Sequence, residues 1–302
     1  MSCGNDGTPR WGVDANREVR EAWVMSEDKC GNKCPRAGGA RSSSGIHPTA
    51  IIEPGTIIGS DVKIGPYTVI ESDVEIGDGA VIDSHVVLGE GTRIGKNCHI
   101  FKGAAIGLEP QDKKYAGEKT LTIIGDGTVL REFVTVNRGT DASGATKIGA
   151  NCWIMAYCHI AHDCVLGEGV TISNGLAMAG HVTVGNFVTI GGVVAIHQFV
   201  RIGDYAMVGA FGLLVNDVVP YALTGNDPVR VAGFNKVGLE RRGFSTEQVT
   251  NIKRAYKILF REELSLNDAL SKLETEYPES AEVKNIVNFV KNSERGFLRM
   301  KS

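Results

Sequence analysis

The chain has 302 residues and a formal net charge of −3, with 42% hydrophobic and 22% charged residues. This length suits one large domain plus a smaller one, and the slightly acidic balance argues against a nucleic-acid-binding protein. No apolar run reaches the roughly 18–20 residues of a membrane span, and the N-terminus lacks the apolar core of a secretory signal.

The first segment, residues 1–45, is polar and rich in Gly and Ser, and it shows no regular apolar spacing. Cys30 and Cys34 form a C-x3-C pair, which alone is weak support for a zinc site. We therefore expect a disordered N-terminal extension over residues 1–45 and assign it no function. The chain has seven cysteines, an odd number, and we expect reduced thiols in a cytoplasmic protein.

From Ile46 onward an apolar residue recurs at every sixth position. Gly often follows it, and a small or β-branched residue stands four positions after it, as in IGSDVK and IGPYTV. The apolar positions are Ile46, Ile52, Ile58, Ile64, Ile70, Ile76, Ile82, Leu88, Ile94, Ile100, Ile106, Ile124, Leu130, Val136, Ile148, Ile154, Ile160, Leu166, Ile172, Met178, Val184, Ile190, Ile196, Ile202, Val208 and Leu214.

A period of six fits neither an amphipathic helix nor a long strand, and it is the hexapeptide signature of a parallel β-helix. Each hexad forms one flat side, and three sides close a coil of about 18 residues. The repeat therefore predicts a mainly β solenoid domain over residues 46–219, with about ten coils and the Ile or Leu side chains stacked inside it.

Two stretches interrupt the repeat, residues 108–121 (LEPQDKKYAGEKTL) and the TDASGAT sequence around Ala142. Irregular segments of a solenoid usually bulge outward as loops. The repeat alone leaves two interpretations open, a tolerated surface insertion or a functional loop.

Four of the seven histidines fall on one edge of the predicted solenoid. Ile160, Met178 and Ile196 follow one another at intervals of three hexads, so they occupy the same side of three successive coils. Around them stand His159, His162, His181 and His197. Such a column suits a metal centre, or a general base with neighbours that orient a substrate. A purely structural role is the least favoured of the three interpretations, because four histidines share the edge.

After Pro220 the pattern becomes helical, and we expect a C-terminal α-helical domain over residues 220–302 that packs on itself or covers the end of the solenoid. Ser245 with Gln248 predicts a capping box, and apolar stripes predict three helices. The stripes are Val249, Ile252, Ala255, Leu259 and Phe260, then Leu266, Leu270 and Leu273, then Val283, Ile286, Val287 and Val290. This segment has 14 Lys and Arg against 11 Asp and Glu, so its basic residues form either a solvated face or a surface for an acidic partner.

The stretch from Ile46 to Arg299 resembles the cytosolic UDP-N-acetylglucosamine O-acyltransferases that begin lipid A synthesis. The resemblance rests on QDKKYAGE, HIAHDC, AGHVTVGNF, AIHQF and LERRGFS, a combination far more specific than the hexads alone. It implies a left-handed parallel β-helix, a homotrimer, and no cofactor or metal. It also implies transfer of a 3-hydroxyacyl group from acyl carrier protein to the glucosamine 3-position of UDP-N-acetylglucosamine.

By the same resemblance, His162 matches the general base, Asp163 its assisting carboxylate, and Gly180 the oxyanion donor. Sugar and phosphate contacts match Gln111, Asp112, Lys114, His159, His181, His197 and Gln198, and nucleotide contacts match Asn235, Arg241 and Arg242. Ala210 stands at the position associated with acyl length, where the family commonly has Gly, and its methyl group predicts a shorter or tilted acyl chain. Val237 replaces a frequent Glu, which leaves recognition of the uridine end open.

Three rival classes remain at this point. The related hexapeptide N-acyltransferases normally carry a globular domain before the solenoid, for which the polar segment 1–45 is too short. A zinc hydratase like the γ-class carbonic anhydrases would use a longer gap inside the His pair than the one between His159 and His162. A non-catalytic scaffold would not depend on His162.

Overall fold

The computed structural model describes residues 45–225 and 228–300, which belong to one compact unit. The predicted disordered extension lies outside the described residues, apart from Gly45. In the described part the hexads form short strands on three walls of a triangular prism, which confirms the predicted parallel β-helix.

The strands of each wall run parallel, one per coil, and β27 alone is antiparallel to its neighbour. Wall 1 contains β1 (Ile51–Ile52), β4 (Val69–Ile70), β7 (Val87–Leu88), β10 (Ala105–Leu108), β13 (Thr135–Asn137), β16 (His159–Ile160), β19 (Ala177–Met178), β22 (Ala195–Ile196) and β25 (Leu213–Leu214). Wall 2 contains β2 (Ile57–Ile58), β5 (Glu75–Ile76), β8 (Thr92–Ile94), β11 (Leu121–Ile124), β14 (Ala145–Ile148), β17 (Val165–Leu166), β20 (Thr183–Val184) and β23 (Arg201–Ile202). Wall 3 contains β3 (Lys63–Ile64), β6 (Val81–Ile82), β9 (His99–Ile100), β12 (Val129–Leu130), β15 (Trp153–Ile154), β18 (Thr171–Ile172), β21 (Thr189–Ile190), β24 (Met207–Val208), β26 (Ala222–Gly225) and β27 (Arg230–Phe234).

The register between coils around the histidines is the predicted one of three hexads per coil. Ile160 pairs with Met178, and Met178 pairs with Ile196. All three side chains are buried in the core. Backbone hydrogen bonds join the coils, as between the N–H of His159 and the carbonyl of Leu176 at 2.8 Å. The apolar hexad positions therefore form the continuous core that stabilises the prism.

Each wall passes to the next through a tight corner. The residue three positions after the inward Ile adopts a left-handed backbone, with φ of 59° at Asp163, 60° at His181 and 64° at Phe199. The glycine directly after the inward residue has another role, because a Cβ at Gly77 would lie 2.7 Å from the carbonyl carbon of Gly95 in the next coil. This close approach of successive coils explains the frequent Ile-Gly pair.

Both interruptions of the repeat bulge at the same corner, the one between walls 1 and 2. Residues 109–120 connect β10 to β11, and residues 138–144 connect β13 to β14. The corner between walls 1 and 2 also follows the strands that carry the clustered histidines. Two irregular segments and the histidine column therefore share one edge of the prism.

The prediction that the chain turns helical directly after Pro220 is wrong. First β26 extends wall 3 by pairing with β24, and β27 returns antiparallel to β26. The helices follow as α1 (Lys236–Arg241), α2 (Thr246–Arg261), α3 (Leu266–Glu276) and α4 (Ala281–Lys291). This strand pair and the short α1 lack hexad or helical periodicity, so apolar spacing did not reveal them.

The three longer helices agree with the sequence patterns. Ser245 and Gln248 form the predicted capping box, and Ser265 caps α3. The apolar stripes are buried except for Leu266, which is exposed, and Phe260, which is partly buried.

The helices cover the C-terminal end of the solenoid, as expected. The Tyr256 hydroxyl donates to the Pro220 carbonyl at 2.7 Å, and the Ser293 hydroxyl donates to the buried Asp217 carboxylate at 2.8 Å.

The division into domains at residues 46–219 and 220–302 stays a proposal. Across the described ranges, no helix has both the length and the apolar character that crossing a membrane requires.

Candidate active site

The histidine corner brings two imidazoles and one phenyl ring together in successive coils. The His162 and His181 rings lie 5.0 Å apart between centroids, with their planes at 88°. Phe199 stacks on His181, with centroids 4.6 Å apart. His159 projects from wall 1, and its Nδ1 lies 2.7 Å from the Thr135 hydroxyl. Burial, and secondarily the nearby His162, lower the pKa of His159.

His162 forms a close pair with the next residue in the chain. Its Nδ1 lies 2.8 Å from Oδ2 of Asp163, whose side chain is only 1% exposed. Because a carboxylate only accepts hydrogen bonds, this contact places the imidazole proton on Nδ1 and leaves the lone pair on Nε2. His162 is therefore arranged as a base whose free nitrogen is Nε2.

The Asp163 carboxylate is held from several sides. Thr140 donates its backbone N–H to Oδ1 at 3.0 Å and its hydroxyl to Oδ2 at 2.6 Å, and the Ser143 hydroxyl donates to Oδ1. Burial alone would raise the pKa of Asp163, but the hydrogen bonds from Ser143, Thr140 and His162 outweigh it and lower this pKa to about 2. The group beside His162 is therefore an anion at neutral pH.

Gly180 lies against the His162 ring. A Cβ at this position would be 2.6 Å from Cε1 and 2.7 Å from Nε2 of His162, so no larger residue fits unless the ring moves. The Gly180 carbonyl accepts the Phe199 N–H at 3.2 Å, whereas the Gly180 N–H donates to no atom of residues 45–225 or 228–300. This N–H remains available to a ligand beside the base.

These groups line a cleft of about 810 Å³. Its lining comprises Gln111, Asp112, Lys113, Lys114, His159, Ala161, His162, Ala177, Met178, Ala179, Gly180, His181, Ile196, Gln198 and Phe199. The 109–120 loop thus forms one side of the cleft and the histidine corner forms the other. Inside the loop, Asp112 is fixed by accepting the Lys114 N–H at 3.0 Å, while Gln111 and Lys114 are exposed.

The structure places the remaining predicted site residues elsewhere. His197 is absent from the cleft lining, and its Nδ1 lies 3.0 Å from the carbonyl of Gln198. Asn235 and Arg242 lie at the corner between walls 2 and 3. There the Asn235 amide donates to the Tyr205 carbonyl and accepts the Gly238 N–H, and the Arg242 guanidinium covers the Phe187 ring at 4.6 Å.

Arg241 ends α1 beside Arg242. Ala210 follows β24 and therefore lies at the third corner, between walls 3 and 1. The predicted base, the predicted nucleotide contacts and the predicted acyl-length position are thus on three different corners of one chain.

Several residues in the cleft or behind it were not predicted. Phe199 could have been predicted from the sequence, because it stands three positions after Ile196, just as His181 stands three positions after Met178. Thr140 and Ser143 carry no signal in the sequence, because they reach Asp163 in the next coil from an irregular turn.

The four cysteines of the repeat are buried, which makes them poorly suited to act as nucleophiles. Cys158 and Cys164 are buried, as predicted for inward spacers. Burial raises the pKa of the Cys164 thiol to about 12, so the thiolate is scarce at neutral pH.

Among the residues that the structure describes, one group has metal-ligand chemistry. Ligand atoms of His162, Asp163 and His181 lie within 4.8 Å of one another. Both oxygens of Asp163 already accept hydrogen bonds from Thr140, Ser143 and His162. A metal would have to displace these donors, so the arrangement fits an acid–base pair better than a metal centre.

The fold and the site define a transferase built on hexapeptide repeats. The family model "Bacterial transferase hexapeptide (six repeats)" matches residues 55–90 and 145–177, and "Udp N-acetylglucosamine O-acyltransferase; Domain 2" matches residues 217–298. The chain is 56% identical to the acyl-[acyl-carrier-protein]–UDP-N-acetylglucosamine O-acyltransferase of Chlorobaculum parvum, covering 84% of this chain and 96% of that protein. It is 46% identical to the corresponding protein of Xanthomonas euvesicatoria, covering 84% and 97%.

Among solved structures, LpxA from Acinetobacter baumannii superposes with a TM-score of 0.82 at 40% identity, covering 85% of this chain and 100% of that chain. The chain belongs to the acyl-[acyl-carrier-protein]–UDP-N-acetylglucosamine O-acyltransferase family, and it is an acyltransferase. Its β-helix is left-handed, an exception to the usual right-handed crossover.

Proposed function

We propose that this chain transfers a 3-hydroxyacyl group from acyl carrier protein to the glucosamine 3-hydroxyl of UDP-N-acetylglucosamine, in lipid A biosynthesis in the cytoplasm. The observation that carries the proposal is the His162–Asp163 pair beside the free N–H of Gly180 in one cleft. The names of the relatives support the same substrates.

In this reaction Nε2 of His162 takes the proton of the sugar 3-hydroxyl while that oxygen bonds to the thioester carbonyl carbon. The negative charge on the carbonyl oxygen is met by the Gly180 N–H, a type of contact worth about 3–4 kcal/mol in other acyl transfers. The C–S bond then breaks, and the carrier thiolate receives the proton from His162. Asp163 stabilises the imidazolium between these two steps. The reaction needs no cofactor.

The loop and the histidine corner supply the sugar contacts in this proposal. Gln111, Asp112 and Lys114 approach from the 109–120 loop, and the His159, His181 and Gln198 side chains come from the strands and corners. For His197, a role toward substrate stays a prediction, since it is outside the cleft lining.

We propose that the chain forms a homotrimer, and the positions of the other predicted contacts support this proposal. Asn235, Arg241 and Arg242 belong to the corner between walls 2 and 3 or to α1, and Ala210 lies between walls 3 and 1. These corners differ from the one that carries His162, which supports a contribution of these residues from a neighbouring subunit. We therefore propose that the cleft is completed between subunits, with Arg241 and Arg242 at the diphosphate.

The carrier protein has a candidate docking face on α2. Lys253, Arg254 and Lys257 are exposed there and form no ion pair with another described residue. An exposed row of cations suits an acidic partner.

The test is His162→Ala, assayed with UDP-N-acetylglucosamine and a panel of 3-hydroxyacyl carrier protein thioesters. We expect turnover to fall by about 10²–10⁴-fold, because a positioned base typically contributes that much. His99→Ala is the matched control, since His99 also lies beside a carboxylate, at 3.3 Å from Asp83, but on wall 3. Unchanged turnover of the His162 variant would remove this residue from the mechanism.

Two further measurements separate the rival functions. One zinc per chain, with activity lost to chelators, would favour a hydratase over an acyltransferase. A strong preference for the 3-amino analogue of the sugar nucleotide would identify an N-acyltransferase instead. The comparisons favour the O-acyltransferase over both.

A further inference from the structure

The turn between β13 and β14 makes contacts on two sides of the cleft. We define the clamp segment as residues 137–144 (NRGTDASG), which the repeat pattern left without an assignment. Asn137 and Arg138 at its start are only 6% and 8% exposed, although both side chains are polar. Buried polar groups are costly unless they make hydrogen bonds, so their partners indicate what they hold in place.

At its first end the clamp segment binds both stems of the 109–120 loop. The Asn137 amide donates to the Glu109 carbonyl at 2.7 Å, and Nε of Arg138 donates to the Gly107 carbonyl at 2.9 Å. At the other stem, the Thr120 hydroxyl donates to the Gly139 carbonyl at 2.7 Å. The loop that carries Gln111, Asp112 and Lys114 is therefore anchored at both stems to one short segment.

The Asn137 amide is held in this position at a cost. Its Oδ1 is buried and has no hydrogen-bond partner among the described residues. A buried acceptor without a partner is unfavourable, and such groups are retained mainly where the geometry is needed. In this position the Asn137 side chain gains the hydrogen bond that its amide donates to the Glu109 carbonyl of the loop.

At its second end the clamp segment binds Asp163. Thr140 donates both its backbone N–H and its hydroxyl to the carboxylate, and Ser143 donates its hydroxyl. The turn is closed by the Gly144 N–H, which donates to the Thr140 carbonyl at 2.8 Å. Asp163 in turn accepts Nδ1–H of His162, so the clamp segment acts on the base through one intermediate.

From these contacts we infer that the clamp segment is a positioning element for the reaction. Thr140 and Ser143 orient Asp163 and through it His162, while Asn137 orients the sugar-binding loop. None of the three touches the reacting atoms. The inference rests on the proposed function, because it assigns the loop to the sugar and His162 to the proton transfer.

The two ends predict different kinetic defects in the full-length protein. Thr140→Val keeps the shape of the side chain but removes its hydroxyl, and Ser143→Ala removes the second hydroxyl donor. The double variant Thr140→Val/Ser143→Ala should lower kcat by about 10- to 100-fold. Its KM for UDP-N-acetylglucosamine should stay within about twofold of the parental value. The single variant Thr140→Ser retains the backbone N–H and a hydroxyl at this position, so its kcat should lie within about threefold of the parental value. Asn137→Leu, which is similar in size but cannot donate, should raise this KM by at least about tenfold and lower kcat much less.

A parental kcat in Thr140→Val/Ser143→Ala would overturn the role toward Asp163. An equal loss in Thr140→Ser would do the same, because the defect would then follow the substitution and not the missing hydroxyl. An unchanged KM in Asn137→Leu would overturn the role toward the loop. Melting temperatures of all variants check that each protein is folded before its kinetics are compared.

A spectroscopic measurement tests the first role without any turnover. With ¹⁵N-labelled histidine in alkaline solution, the nitrogen shifts of the parent should show His162 protonated on Nδ1. Thr140→Val/Ser143→Ala should show a mixture of the Nδ1–H and Nε2–H tautomers, and an unchanged tautomer would refute the role. If the parent itself failed to acylate UDP-N-acetylglucosamine, the proposed function would fall, while the tautomer would still decide whether the turn positions His162.

Discussion

Gly180→Ala probes the contact between Gly180 and the proposed base His162 with the smallest possible change. The φ of Gly180 lies outside the left-handed region, so alanine carries no backbone penalty there. The added Cβ, however, would lie 2.6 Å from Cε1, 2.7 Å from Nε2 and 3.1 Å from Nδ1 of His162. The Gly180 N–H is retained in the variant, so the oxyanion contact is not deleted.

The size of the effect follows from these distances. Carbon atoms in contact lie about 3.5–4.0 Å apart, so the His162 ring must retreat by about 1 Å. The ring cannot retreat freely, because its Nδ1 is bound at 2.8 Å to an Asp163 carboxylate that is itself buried and held by Thr140. A misplacement of about 1 Å at a reacting group costs about 100-fold in rate, and we expect kcat of Gly180→Ala to fall by that factor.

The assay is steady-state acyl transfer, with melting temperature as the check on folding. Gly233→Ala is the matched control, since its φ is also ordinary and no atom lies within 4 Å of the added Cβ. If the loss acts through His162, then Gly180→Ala should cost almost nothing more in a protein that already carries His162→Ala. A Gly180→Ala protein with parental kcat, or full additivity in the double variant, would refute the proposed contact.

Three further outcomes are expected. Ala210→Gly should shift the preference among 3-hydroxyacyl donors toward longer chains, and the same chain-length profile in both proteins would reject its role. The pKa of Asp163 is lowered to about 2 from its usual 3.8, so its contribution to stability, about 2 kcal/mol, is complete above about pH 4 and is lost as pH falls through 2. Asp163→Asn should remove this part of the pH dependence of the unfolding free energy, and a parental pH dependence would contradict it. Native protein at pH 8 should leave Cys164 unmodified by iodoacetamide, because burial raises the pKa of its thiol to about 12; rapid labelling seen by mass spectrometry would disprove this.

The sequence was most informative where one physical rule repeats. A coil made of three hexads must bury one apolar side chain on each wall, so Ile160, Met178 and Ile196 had to stack if the period was right. This single rule placed His162 and His181 side by side, although they belong to different coils of the chain. The same rule predicted the burial of Cys158 and Cys164.

The sequence was least informative where geometry is set by contacts that do not repeat. The β26–β27 pair and α1 follow neither period, so only their packing reveals them. Thr140 and Ser143 reach Asp163 because the 138–144 turn folds back over the next coil, and no spacing rule encodes that path. The resemblance named Asp163 as the assisting acid but did not indicate which groups keep it ionised.

The arrangement of the corners explains why the predicted site residues lie so far apart in one chain. A β-helix repeats in only one direction, so residues gather easily along one corner but not across the prism. The corner between walls 1 and 2 holds His162, the N–H of Gly180 and both inserted segments, whereas Arg242 and Ala210 lie at the other two corners. In the proposed homotrimer, a second prism packed against the first would place such corners face to face. The 109–120 loop lines the cleft and the clamp segment supports it from behind, and both depart from the repeat. They supply the fixed polar contacts that flat walls of very short strands cannot provide.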